Sequence, residues 1–539
     1  MVFVRDFKHA TDQDFARIDS FVQATRQAVH VRREDQLLMI RPEKTMGINE
    51  TAMEILSALY DRNAPDSRQV LDRLARRYRV PQKQVACDAV GLLESISAMM
   101  RDDFRPRANV RQVGFDRNRI KYPVLAEIAL TYACQNRCIF CYAASPKRGP
   151  DGPVMTTDQV KVVIRRIAEE AHVPTLSFTG GEATLRKDLA QLIEYGTSLG
   201  LRVNLITNGL RASDPRYAKT LVDHGLASAQ VSIEAGEEKL HDAMVDNPGA
   251  FRQTIAGIKA FRDLGIHVHT NSTVCSENYD HAEEIVQFVA TELGLRTMSM
   301  NMLIRTGLGL DPSMQPVTYA QVAQLLPRLL DEAKRRGIKF VWYSPVPYCV
   351  VNPVLLGQGA KSCACVSGIL SVNPAGQVLP CSSFQQGLGS LIDQPFDEIY
   401  NSPAAKYWRE REYVPPPCRH CEDVDLCAGA CPLYWDSVQS FQEIPVDRSN
   451  DKDAFRTWCE DRTRGMSFGV PCPTDSGSAS SHVTPESATP IRRLPLLHEK
   501  LLTVAPERLT QDETQDNREV ASLCTSPRDF HHTGESWVR

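Results

Sequence analysis

The sequence predicts an α/β fold built on a parallel sheet with helices outside, with a small helical module before it and a cysteine-rich segment after it. Three observations carry this. Between Val124 and about Arg336, six strand candidates (Val124–Tyr132, Thr175–Thr179, Arg202–Thr207, Ser228–Ile233, His267–Val274 and Thr297–Ile304) alternate with helix patterns, and repeating β-α units of this length favour a parallel sheet. In the first hundred residues, apolar stripes recur at i, i+3, i+4 and i+7, the signature of amphipathic helices. Most of the sixteen cysteines gather in two places, one after the first barrel strand and one beyond Arg336. The resulting division is a lead-in (1–27), an N-terminal module (28–105), a barrel (120–336), a cysteine-rich domain (345–465) and a tail (470–539).

Length and composition bound the function. A chain of 539 residues suggests three or four domains. Lys+Arg (62) nearly balance Asp+Glu (66), so global charge favours neither nucleic acid nor an acidic membrane surface. Met1-Val-Phe-Val-Arg-Asp-Phe-Lys carries charges where a signal peptide needs an apolar core. No stretch approaches the length of an apolar membrane span. The expectation is a cytoplasmic protein without membrane contact, whose cysteines serve metal or redox chemistry in place of disulfides.

In the N-terminal module, Ala28 to Arg32 reads as a strand, Arg33-Glu34-Asp35 as a tight turn, and Leu37 to Ile40 as a second strand. Three helices follow. Their stripes are Ala52/Ile55/Leu56/Leu59, Leu71/Leu74/Ala75/Tyr78 and Ala89/Leu92/Leu93/Ile96, with Asn49 and Ser67 as N-caps of the first two. The pattern around Asn49-Glu-Thr-Ala-Met-Glu-Ile resembles the PqqD-like domains that bind leader peptides of ribosomally made natural products, in which a β-hairpin precedes three helices. The resemblance implies docking of a precursor peptide by strand addition. Inert packing of a winged-helix-like module is the structural alternative. The arginines 68, 73, 76, 77 and 79 keep nucleic acid as a third, disfavoured reading, since a charge run on such a helix is usually a solvated face.

Directly after the first barrel strand lies Cys134-Gln-Asn-Arg-Cys138-Ile-Phe-Cys141-Tyr142. Three thiolates on one loop hold three irons of a cubane and leave the fourth open, whereas a complete cluster normally takes four protein ligands. A zinc loop would need a fourth Cys or His nearby, and none follows. The spacing resembles the cluster motif of radical S-adenosylmethionine (SAM) enzymes, whose barrel is an open (β/α)6 partial TIM-like barrel. In that family the open iron chelates the SAM amino and carboxylate groups, and reductive cleavage gives a 5′-deoxyadenosyl radical. The resemblance implies that Cys134, Cys138 and Cys141 are the catalytic cluster ligands, with Tyr142 beside them at the cofactor.

Later strand ends match the same family. Phe178-Thr-Gly180-Gly181-Glu182 resembles its GGE motif, which implies contact of the Gly180–Gly181 main chain and of Glu182 with the SAM ammonium. Thr207-Asn208-Gly209 is a turn signal at the third strand end. Val231-Ser232-Ile-Glu234 stands where relatives contact the ribose hydroxyls, commonly with Asp at the Glu234 position. Asn271 on the fifth strand is a SAM ligand or a buried structural amide. His241-Asp242 and Asn247-Pro-Gly-Ala-Phe251 shape the neighbouring loop.

The second cysteine set runs Cys365, Cys381, Cys418-x2-Cys421-x5-Cys427-x3-Cys431, then Cys459. Between the first two, Leu370 to Leu379 reads as a hairpin turning at Pro374–Gly376. The spacing resembles the SPASM domain of peptide-modifying radical SAM enzymes and implies two auxiliary [4Fe–4S] clusters; a zinc ribbon is the alternative. Cys418, Cys421, Cys427 and Cys459 would hold one. Cys365, Cys381 and Cys431 would hold the other, with a fourth ligand that is Cys349, Cys363 or absent, because Gly359 occupies the family's usual position. Cys87, Cys275, Cys472 and Cys524 are left over. Beyond Gly469 the composition turns to Ser, Thr, Pro, Asp and Arg and reads as disordered, with a short helix possible at Leu494 to Val504.

Together these resemblances imply a radical SAM oxidoreductase that modifies a precursor peptide by thioether or carbon–carbon cross-linking and draws electrons from a low-potential donor such as ferredoxin or flavodoxin. The alternatives are a sulfatase-type maturase of a folded protein, a tetrapyrrole-modifying enzyme and, from another class, an iron–sulfur redox-sensing regulator.

Overall fold

Helix α1 (Asp12–Thr25) packs Phe15, Ile18 and Val22 into the core of the N-terminal module, so the lead-in belongs to that module and is not separate from it. The computed structural model describes residues 12–40, 44–100, 120–145, 153–445 and 455–459. Strands β1 (Val29–Arg32) and β2 (Leu37–Ile40) form the expected hairpin, and a third strand, β3 (Lys44–Gly47), pairs antiparallel with β2. Three helices follow: α2 (Glu50–Tyr60), α3 (Ser67–Tyr78) and α4 (Gln82–Met100). The Asn49 side chain caps α2 by accepting from the Ala52 amide, worth ~1 kcal/mol. The cap of α3 is Asp66, one residue before the expected Ser67. A carboxylate takes the Gln69 amide there, and Ser67 instead donates to the Phe15 carbonyl, tying α3 to α1.

The module is fastened to the barrel through the β1–β2 turn. Arg32 is only 1% exposed and pairs with Asp35 at 2.8 Å. Its guanidinium also donates to the Tyr122 carbonyl at 2.9 Å and to Pro123 at 2.6 Å. Asp35 in turn accepts from the Lys121 amide. A buried ion pair is weak evidence for stability, but one whose remaining donors all find carbonyls fixes an orientation. Arg62 reaches the Thr197 and Ser198 carbonyls. These carbonyls all lie just ahead of barrel strands, so the module sits at the N-terminal ends of those strands.

All six barrel strands form, as β4 (Leu125–Thr131), β5 (Thr175–Gly180), β6 (Arg202–Thr207), β7 (Ser228–Ser232), β8 (His267–Val274) and β9 (Thr297–Met302). A further strand, β10 (Lys339–Trp342), joins beside β9. The helix Thr157–Glu169 starts on a capping box of Thr156 and Gln159 and buries Val160, Val163, Ile164 and Ile167. Side chains alternate across the sheet. Ile128, Phe178, Leu205 and Val231 are fully buried in the apolar core. The opposite face carries an in-register polar row, Glu127, Ser177, Asn204 and Ser228, joined by Asn204–Ser177 and Ser228–Asn204 hydrogen bonds of 3.1 and 2.7 Å.

The cysteine-rich region continues the same sheet. Strand β11 (Ile369–Val372) runs parallel to β4, and β12 (Gln377–Leu379) and β13 (Gly389–Ser390) follow antiparallel, making an open ten-stranded sheet ordered β10-β9-β8-β7-β6-β5-β4-β11-β12-β13. Ser371 donates to the buried Glu127 carboxylate at 2.6 Å across the β4–β11 seam. Among the described residues no helix is long and apolar enough to cross a membrane. The expected tail, its Leu494–Val504 helix, Cys472 and Cys524 lie outside the described residues.

Candidate active site and auxiliary cysteines

The cluster loop leaves the C-terminal end of β4, the end where ligands gather in β/α folds. Cys134, Cys138 and Cys141 are all half-buried and lie within electrostatic range of one another. The loop is held by main chain. The amides of Arg137 and Ile139 donate to the carbonyls of Val245 and Met244 at 2.9 and 3.0 Å. Ile139 and Phe140, the latter the aromatic residue of the motif, pack beside Met244, Cys275, Leu303 and Met314. Asn136 accepts from Asn247 at 2.8 Å, and Asp242 accepts the amides of Gly249 and Phe251. The His241–Phe251 segment therefore shapes the loop, and Cys275 is a buried thiol beneath it.

The glycines make room for close approach. A Cβ on Gly181 would stand 2.5 Å from the Tyr132 and Ala133 carbonyl oxygens, and one on Gly180 would meet the Thr131 oxygen at 2.1 Å. The amides of Gly181 and Glu182 donate to Thr131 and Ala133 at 2.7 and 2.9 Å. Gly307, which the sequence did not single out, does the same from the other side. Its Cβ would lie 2.4 Å from the Cys141 and Tyr142 oxygens, and the Leu308 amide binds the Cys141 carbonyl at 2.9 Å. Its only sequence signal is a Thr-Gly-Leu-Gly run just past the β9 end.

The expected cofactor residues divide into two groups. Asn208 touches the loop directly, its amide side chain donating to Cys134 Sγ at 3.7 Å and to Gln135 at 3.2 Å. Tyr142 points back to the Gly180 carbonyl, its hydroxyl 3.5 Å away. Ser232 is half-buried at the β7 end. Glu182 instead faces inward. It is 1% exposed and accepts from the Thr184 amide and hydroxyl, the Thr207 hydroxyl and the Asn208 amide. Such a carboxylate ties the β5 and β6 ends together. Glu234 is also buried, accepting from the Thr273 amide at 2.8 Å, and burial pushes its carboxyl up to about 8. Asn271, half-buried on β8, bonds Asn301 and Ser299 at 2.8 and 2.9 Å.

The thiols suit a cluster better than a single ion. Burial pushes Cys134 up to about 12 and Cys138 well above a free thiol, so a thiolate there needs bound positive charge. Among the described residues no Cys, His, Asp and Glu side chains converge as ligands of one metal ion.

In the cysteine-rich region Cys363 and Cys349 differ in burial and in their neighbours. Cys363 Sγ lies 3.3 Å from Cys365 Sγ, and both are buried. Cys381 lies within electrostatic range of Cys365, and Cys431 within that of Cys363 and Cys381. Cys349 is exposed, and its neighbour Tyr348 donates its amide to Cys427 Sγ at 3.4 Å, which sets it beside the other group. Of that group, Cys418 and Cys427 are buried, Cys421 is exposed, and Cys459 is buried on the 455–459 helix.

Comparison with known proteins agrees with this geometry. The radical SAM superfamily pattern matches residues 128–289, and the SPASM iron–sulfur cluster-binding domain matches residues 363–422. This is a radical SAM enzyme with a SPASM domain. Its first domain binds a [4Fe–4S] cluster and SAM, and its second is an iron–sulfur cluster-binding domain. The enzyme is 29% identical over 322 residues (57% of this chain, 90% of the relative) to the AdoMet-dependent heme synthase of Methanosarcina barkeri. It is 27% identical over 326 residues (57% of this chain, 81% of the relative) to the PqqA peptide cyclase of Bradyrhizobium diazoefficiens. The fold resembles Streptococcus suis SuiB, solved bound to its precursor peptide SuiA, with a TM-score of 0.56, 16% identity and coverage of 76% of this chain and 95% of that one.

Proposed function

We propose that this enzyme modifies a ribosomally synthesised precursor peptide, forming a thioether or carbon–carbon cross-link. The observation that carries the reading is the N-terminal module, a three-stranded sheet anchored to the barrel by the buried Arg32–Asp35 turn. Strand β3 lies at a sheet edge, the arrangement by which an extended peptide gains backbone hydrogen bonds. The likeness to a peptide cyclase and to a fold solved with a precursor peptide supports the same substrate class.

Cys134, Cys138 and Cys141 hold the SAM-binding cluster in this reading. Asn208 donates to the Cys134 sulfur, and the Gly180–Gly181 main chain and Ser232 would hold SAM's ammonium and ribose. Loaded, the site supplies hydrogen-atom abstraction. The protein positions the target carbon and keeps water out. Cross-linking removes two hydrogens from the peptide: one leaves as an atom, the other as a proton and an electron. Cys363, Cys365, Cys381 and Cys431 would hold an auxiliary cluster that could supply an acceptor for this electron, and Cys418, Cys421, Cys427 and Cys459 would hold a second.

The anchoring also sets a length. The module touches the N-terminal ends of β4 to β6, whereas the cluster loop leaves the C-terminal end of β4, which is 7 residues long, about 23 Å at ~3.3 Å per residue. At least about seven extended residues must then separate the docked leader from the modified position. The test is co-expression with small reading frames encoded beside the gene. A peptide lighter by two hydrogens, lost when the spacer is shortened below that length, is expected; unchanged mass of every neighbouring peptide overturns the proposal. The heme synthase relatives favour a tetrapyrrole substrate as the second reading, and turnover of a porphyrin precursor with no peptide product would establish it.

A further inference from the structure

Glu127 faces a cavity on the polar side of the sheet. Its side chain is 8% exposed and accepts from the Ser371 hydroxyl at 2.6 Å across the β4–β11 seam. Tyr132, Tyr142, Thr179, Ser371 and Ser382 line the cavity with it. Tyr142 directly follows Cys141 of the cluster loop, and Ser382 directly follows Cys381 of the auxiliary group. The Tyr142 hydroxyl also reaches toward the Gly180 carbonyl at 3.5 Å, so the cavity borders the glycine turn. About 10 Å³ is open inside it, room for a single water. None of the residues lining it is Lys, Arg or His, so no cation in the cavity offsets a charge on Glu127. Glu182, by contrast, has its oxygens committed to Thr184, Thr207 and Asn208. Burial pushes the Glu127 carboxyl up while the Ser371 hydroxyl pulls it back down, which makes it a stronger base than a surface carboxylate. Burial also holds the Tyr142 phenol far above its ordinary range, so that hydroxyl can donate to a water but not take its proton.

We propose that Glu127 is the proton acceptor of the cross-linking step, reached through one water of this cavity. The proposal rests on the cross-linking reading above. Loss of a hydrogen atom leaves a carbon radical on the peptide. The new bond forms between that carbon and a thiol sulfur or a second carbon, whose own bond to hydrogen breaks. The proton passes to the Glu127 carboxylate, which becomes a neutral acid, and the remaining electron reduces an oxidised iron–sulfur cluster of the group that includes Cys381. The neutral acid is the form that burial favours. Because Ser382 lines the cavity, the two acceptors are neighbours, and the positive charge gained by one offsets the negative charge gained by the other.

The test compares Glu127→Gln and Glu127→Asp with the wild-type full chain, reconstituted anaerobically and given the neighbouring peptide that the wild type makes lighter by two hydrogens. Glutamine keeps an acceptor for Ser371 and removes the base. Glu127→Gln is expected to form 5′-deoxyadenosine with unchanged iron and sulfide content, while cross-links per 5′-deoxyadenosine fall by about 100-fold or more. Glu127→Asp, which keeps a carboxylate, should recover part of that yield. A second readout needs no peptide. Infrared spectra of the wild type should lack the carboxyl band of Glu127 at pH 8 and gain it on acidification, the band being assigned by its absence from Glu127→Gln. A band already present at pH 8 overturns the proposal, because a protonated acid accepts nothing. An undiminished cross-link yield in Glu127→Gln overturns it too, and so does loss of iron or of 5′-deoxyadenosine in both variants, which would make the residue a structural requirement. These three outcomes leave the cross-linking reading standing. A wild type that modifies no neighbouring peptide overturns that reading and this proposal with it.

Discussion

The Cys134–Cys141 loop and the Cys363–Cys459 region hold their thiols by different means. On the loop, three half-buried thiols lie within eight residues, fixed by main-chain hydrogen bonds and by glycines that let neighbouring loops come close. In the later region, thiols from distant segments converge in a core of buried aromatics, Trp408, Tyr413, Tyr434, Trp435 and Trp458. The loop's thiols stay half-buried, while most of the later ones are buried among the aromatics.

The largest expected effect follows from the first half of that contrast. Replacing Cys134, Cys138 and Cys141 with Ala should abolish 5′-deoxyadenosine formation in reduced, anaerobic protein while removing only one cluster's worth of iron. Undiminished SAM cleavage would break the division of labour between the regions. Next comes Gly181→Ala. Its methyl would stand 2.5 Å from two carbonyl oxygens, and backbone cannot yield as a side-chain tip can. Forced displacement of this kind costs ~1–3 kcal/mol. SAM affinity, measured by calorimetry, should fall by about tenfold or more, whereas the auxiliary-cluster spectrum should not change.

The sequence revealed the loop site more fully than the auxiliary one, for a physical reason. Cys134, Cys138 and Cys141 are close in sequence, so spacing alone brings them together, and the six barrel strands follow from apolar alternation. The burial of Cys363 beside Cys365 was hidden, because spacing alone does not say which of Cys349 and Cys363 turns into the core. The inward turn of Glu182 was equally hidden. Its partners Thr207 and Asn208 come from another strand end, and no local pattern reports a carboxylate's satisfaction. Strand β3 lacked an apolar run, having only Lys44-Thr-Met-Gly to announce it.

Acid stability gives a smaller and more gradual difference between the regions. His269, on β8, is buried, donates through Nε2 to Gln230 at 3.0 Å and has no protein partner for Nδ1. Burial, with His267 and Arg202 adding like charge, pushes it down to about 3. The folded state therefore refuses a proton that the unfolded chain accepts below about 6.5. The stability contributed by this residue is present above that pH and is lost as pH falls toward 3, with a slope of up to ~1.4 kcal/mol per pH unit. His269→Asn should flatten the urea-midpoint profile of the apoprotein between about pH 6 and 4.

The smallest expected effect is at Cys349, and it sharpens the comparison because the residue is a cysteine in the right part of the chain. If proximity in sequence chose ligands, Cys349 and Cys363 would be equal candidates. Burial and direction separate them: Cys363 lies 3.3 Å from Cys365 inside the core, while Cys349 is exposed on a segment whose Tyr348 amide serves Cys427. Cys349→Ser should therefore keep the iron and sulfide of both auxiliary clusters and the midpoint of the first. Cys363→Ser should keep the fold but change the first cluster's resonance spectrum, since oxygen replaces sulfur at one iron. A reversal of these two outcomes would move the ligand to the exposed segment. It would also leave the first auxiliary cluster open to solvent on the side that the aromatic core now closes.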